Sequence, residues 1–70
     1  MKIISWNINS LRLRLPLLEK VVVAQNPDII CLQETKVQDA DFPLLAVQNL
    51  GFKFVEFAGE KSYNGVAILS

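Results

Sequence analysis

Apolar and polar positions along the chain fall into short blocks divided by turn residues. In Lys2–Trp6, Ile3, Ile4 and Trp6 form a β-branched and aromatic run that the polar stretch Asn7-Ile8-Asn9-Ser10 closes, which predicts a first strand and a turn. Leu11, Leu13 and Leu15 alternate with Arg12 and Arg14 as a strand would. Pro16 follows at once, however, and proline favours the first turn of a helix. The spacing predicts a helix from about Leu15 to Gln25 with Leu17, Leu18, Val21 and Val22 on one face. Asn26 precedes Pro27, which disfavours helical backbone at Asn26 and ends the element.

Asp28–Gln33 contains four consecutive apolar residues, too few for a helix and without alternation. Such a run suits a strand covered on both faces, as parallel strands are. Asp39 or Asp41 can cap a short helix with Pro43 early, Gly51 just past its end, and Leu44, Leu45, Val47 and Leu50 to bury. Phe52–Phe57 predicts a third strand, Ala58–Tyr63 a polar loop, and Gly65–Leu69 a fourth strand. The order is α/β: a βαβ unit followed by a short helix and a β-hairpin, in one continuous packed region without linker or repeat. The last apolar run stops where the chain stops, at Ser70, so residues 1–70 are expected to be a fragment of one larger domain.

Composition narrows the function classes. The 70 residues are 51% hydrophobic and 20% charged, with seven Lys or Arg against seven Asp or Glu. Zero net charge offers no global attraction to nucleic acid, so any such binding must come from locally clustered cations. A compact body of this mass exposes about 4,400 Å², and a chain this short makes a marginal unit. One cysteine and no histidine leave no disulfide pair and no metal-thiolate cluster to staple it, so it is expected to lean on a partner or on the rest of a longer polypeptide. Apolar runs such as Val21–Ala24 and Val66–Leu69 are four residues long, against roughly 20 for a membrane helix. No membrane association is expected, and with no secretory signal pattern the expected location is cytoplasmic.

Candidate chemistry follows from topology. If the first two strands are parallel, both carboxyl ends meet at one sheet edge, where open α/β sheets bind ligands. Asn7 then stands just past the first strand and Glu34 just past the second. Strands lie about 4.8 Å apart, so the two side chains can share one small ligand. A second parallel crossover would bring the Ala58–Tyr63 loop to the same edge, with Arg12, Arg14, Lys36 and Lys61 around a lone carboxylate. A carboxylate and an amide oxygen ringed by cations suit Mg²⁺ and a phosphate. Lys and Arg would hold a phosphodiester backbone without reading sequence. No general base is apparent, since histidine is absent and a metal would occupy Glu34, so these residues alone should bind without turnover. Taken singly each has a structural reading: Asn7 as a turn residue, Trp6 as core, Cys31 as a small hydrophobe, Tyr63 packed on a hairpin turned by Asn64-Gly65.

Taken together the residues are more specific. Ser-Trp-Asn-Ile-Asn-Ser-Leu-Arg (5–12), Pro-Asp-Ile-Ile-Cys-Leu-Gln-Glu-Thr-Lys (27–36) and Ser-Tyr-Asn-Gly-Val-Ala-Ile-Leu (62–69) resemble the N-terminal portion of exodeoxyribonuclease III and related abasic-site endonucleases, within the endonuclease/exonuclease/phosphatase superfamily. The resemblance implies a four-layered α/β sandwich (DNase I-like) that hydrolyses phosphodiesters with Mg²⁺ or Mn²⁺. It implies a metal-ligand role for Glu34, and a catalytic and metal-adjacent role for Asn7. Arg12, Lys36 and Tyr63 match positions that approach the DNA backbone, with Asn64 and Lys61 beside them. Asn9 stands where some relatives carry Asp, and Ser10 where Gly is common.

The implied parent is a DNA repair nuclease, monomeric at full length, acting on double-stranded DNA at abasic sites or 3′ ends. Members run to roughly 250 residues as single domains. An active-site tyrosine, an Asp-x-Asn segment and an Asp-His pair would lie beyond Ser70, so residues 1–70 are expected to be inactive alone. Two other readings stay open: a superfamily relative acting on phosphoinositide or another phospholipid, and a non-catalytic fragment that contributes only packing.

Overall fold

The computed structural model describes residues 1–59 and 64–70. Its elements are β1 (Ile3–Asn7), α1 (Leu15–Gln25), β2 (Ile29–Gln33), a 3-10 turn at Asp39–Asp41, α2 (Leu44–Gln48), β3 (Val55–Ala58) and β4 (Val66–Leu69). The strands form one sheet in the order β1-β2-β4-β3. β1 and β2 are parallel, with Ile3 opposite Ile29 and Asn7 opposite Gln33, as the first crossover predicts. β4 is antiparallel to both its neighbours. β3 therefore runs with β1 and β2, and the ends of those three strands share one edge with the start of β4.

Strand alternation sends one set of side chains to a common core. Ile30 and Leu32 of β2, and Ala67 and Leu69 of β4, are fully buried against Leu18 of α1 and Val47 of α2. Ile4, Trp6, Val55 and Phe57 complete that face, and Phe42 stacks on Phe57 with ring centroids 3.9 Å apart. The opposite face carries Ile3, Ser5 and Asn7, then Ile29, Cys31 and Gln33, then Val66 and Ile68. None of these is fully buried. The continuous apolar run of β2 thus alternates between a covered and an open side, instead of being covered on both. The exposed surface totals 4574 Å², close to that of a compact body of this mass. No helix of the described residues is long and apolar enough to cross a membrane.

α1 occupies the predicted span. Pro16 sits in its first turn, and Asn26 closes it in left-handed backbone (φ 47°) with its N–H donating to Val22 O. Lys2 fastens the helix to β1: its ammonium donates to Gln25 O at 2.8 Å, and its backbone N–H to Asp28 Oδ2 at 2.7 Å. A cation there also favours the negative end of the helix dipole.

Four further expectations need correction. Leu17 is 45% exposed, because the face that meets the sheet centres on Leu18, with Leu15 and Val22 beside it. Neither Asp39 nor Asp41 caps α2. Asp39 Oδ1 instead accepts from Gly59 N–H at 2.8 Å, and Asp41 Oδ2 from Gln38 Nε2 at 2.8 Å. With only five residues, α2 buries Val47 and leaves Leu45 75% exposed. The third strand starts at Val55 rather than Phe52, since Phe52 turns into the core while Phe54 points out.

Candidate metal and phosphate site

The shared sheet edge is built from three loops tied together by backbone hydrogen bonds. Ile8 N–H donates to Gln33 O, Ser10 N–H to Glu34 O, and Leu11 N–H to Thr35 O, at 2.9–3.0 Å. On the other side Thr35 N–H donates to Gly65 O at 3.1 Å and Lys36 N–H to Asn64 O at 2.8 Å. Glu34-Thr35-Lys36 is therefore held from both flanks, with Thr35 buried between its more exposed neighbours. Satisfying these backbone groups demands tight turns. Asn9, Ser10, Glu34, Lys36 and Asn64 all take positive φ, from 50° to 90°.

The two residues on which the functional reading depends are in contact. Asn7 Nδ2 donates a hydrogen bond to Glu34 Oε2. The other carboxylate oxygen, Oε1, faces the Lys36 ammonium at 3.8 Å. Lys36 Nζ is bonded more closely, at 2.6 Å, to Asn9 Oδ1, and Asn9 O accepts from Arg14 Nε at 3.1 Å. The carboxylate thus meets one amide, that of Asn7, and one cation, Lys36, while Asn9 links Lys36 to Arg14 behind them. Arg12 lies exposed in the turn between β1 and α1, and Asn64 meets Lys36 through its carbonyl. Tyr63 and Lys61 lie outside the described residues. Asn9 as an organising acceptor was not among the expected site residues. Its sequence signal is the Asn7-Ile8-Asn9-Ser10 turn itself, which reads only as a loop until the cations are placed.

The donor set fits part of the shell of a hard divalent cation. Asn7 donates its amide N–H to Glu34, which leaves its amide oxygen available as an acceptor. Among the described residues no group of three or more His, Cys, Asp or Glu converges. One carboxylate with a neutral oxygen suits Mg²⁺, which keeps several waters and takes substrate phosphate into its shell, better than it suits an all-protein cage.

The profile of the Endonuclease/Exonuclease/phosphatase family matches residues 4–70. The chain belongs to the endonuclease/exonuclease/phosphatase family. It is 47% identical over its whole length to exodeoxyribonuclease III of Haemophilus influenzae, covering 26% of that protein. Its fold superposes with a TM-score of 0.93 on a Neisseria 3′ phosphatase bound to a product DNA hairpin, at 46% identity, over 100% of this chain and 27% of the other. An AP endonuclease from Archaeoglobus fulgidus superposes equally well, with a TM-score of 0.93 at 43% identity, covering 100% of this chain and 27% of that one. The fold is thus the DNase I-like α/β fold of these relatives, of whose length the chain spans about a quarter.

Proposed function

We propose that this chain supplies the metal-carboxylate half-site and part of the DNA-binding rim of a DNA repair nuclease, one that hydrolyses phosphodiesters at abasic sites and 3′ ends with Mg²⁺ or Mn²⁺. The observation that carries the reading is the Asn7–Glu34 pair at the sheet edge. Relatives named for exonuclease and abasic-site endonuclease activity, and one bound to a DNA hairpin, support the substrate class.

Glu34 and the Asn7 oxygen would hold the divalent ion, which when bound polarises a phosphoryl oxygen and offsets charge as the P–O bond breaks. Asn7 orients the carboxylate through its N–H. Lys36, Arg14 and the exposed Arg12 give positive charge along which a phosphodiester backbone can lie. The sequence has no histidine, and Glu34 is committed to the metal, so these residues bind and orient rather than activate water.

Cleavage of an abasic duplex by the full-length protein and its Glu34→Ala variant tests the reading. A loss of at least about 100-fold is expected on removal of the metal carboxylate. Unchanged cleavage, or cleavage of phosphoinositide in place of DNA, overturns it.

A further inference from the structure

We propose that Asn9 is a positioning residue whose carboxamide holds the Lys36 ammonium off Glu34, keeping Glu34 Oε1 open to a divalent cation. This rests on the metal-binding reading above. The decisive geometry is a pair of unequal distances from one ammonium group: 2.6 Å to Asn9 Oδ1 and 3.8 Å to Glu34 Oε1. A lysine side chain is long and flexible, and a carboxylate attracts it more strongly than an amide does. Left to itself, Lys36 would close on Glu34 as a contact ion pair and compete with any metal for the same oxygen.

Asn9 is itself held in place. Its backbone takes φ 50°, its carbonyl accepts from Arg14 Nε, and the next N–H, that of Ser10, is bonded to Glu34 O. The acceptor therefore moves with the carboxylate it protects. Because it is neutral, it restrains the ammonium without adding charge at Glu34.

Mn²⁺ titration of the full-length protein without DNA, followed by the paramagnetic resonance of free Mn²⁺, tests this independently of activity. Asn9→Gly removes the carboxamide, tolerates the left-handed backbone and leaves the carbonyl for Arg14. It is expected to bind Mn²⁺ about threefold more weakly, the scale of one partly exposed ion pair. Asn9→Gly combined with Lys36→Met removes the competing cation and should restore wild-type affinity or exceed it. A merely structural role for Asn9 predicts that Asn9→Gly weakens binding as much when added to Lys36→Met as when added to the wild type, and that result overturns the proposal. So does wild-type affinity in Asn9→Gly when Glu34→Ala abolishes binding, an outcome that leaves the metal reading standing. Undiminished Mn²⁺ binding by Glu34→Ala removes both.

Discussion

The hydroxyl of Thr35 fills the space that a side chain on Gly65 would need. The two residues also share a backbone hydrogen bond, and Gly65 takes φ 92°. Only glycine satisfies both demands, so the first residue ahead of β4 is locked to the segment that presents Glu34.

Gly65→Ala is accordingly expected to cost about 2 to 4 kcal/mol, from left-handed strain and overpacking together. Denaturant midpoints of the full-length protein would show it. Adding Thr35→Ala should recover the overpacking share and leave the backbone share, so a double variant no more stable than Gly65→Ala would contradict the contact.

Ser10 has the reverse problem. It holds φ 90° with a side chain attached, a backbone that glycine would adopt without strain. Ser10→Gly should raise stability by about 1 kcal/mol, seen as a melting temperature a few degrees higher. A lower one would mean that the hydroxyl contributes more than the strain costs.

Leu18 and Leu17 are neighbours in α1 with opposite surroundings, the first fully buried and the second 45% exposed. Leu18→Ala should cost about 3 kcal/mol and Leu17→Ala less than about 1 kcal/mol. Equal losses in urea denaturation would place the helix face wrongly.

The proposed place of Arg12 on the DNA-binding rim can be tested through charge. If its guanidinium meets a phosphate, Arg12→Ala should weaken binding for all duplex sequences alike. It should also reduce the slope of log K against log salt by about 0.9. An unaltered slope in fluorescence anisotropy titrations would remove Arg12 from the rim.

Much of the architecture was legible because local rules and tertiary demands agreed. Pro16 and Asn26 set both ends of α1, and the Asn7–Glu34 meeting follows from two parallel strands of equal length in register. Elsewhere a longer-range partner overrode the local signal. Asp39 has the chemistry of a helix cap, yet the Gly59 N–H, 20 residues away, takes its carboxylate. Ile8 and Val37 lie in stretches that read as polar turns and Leu11 in a run that alternates like a strand, but all three are buried because the loops carrying them are tied across the end of the sheet. Asn9 was missed for the same reason: its value lies in Lys36 and Arg14, which the chain brings to it from elsewhere.

Ile3, Ile29 and Ile68 occupy the bare side of the sheet, and Asn7 projects from that side at its rim. Anything that comes to lie over this hydrocarbon will end beside the amide that steadies Glu34. Ile3 and Asn7 thus share one short strand and one side of the sheet, so the packing of the first and the orientation of the second are set by the same stretch of backbone.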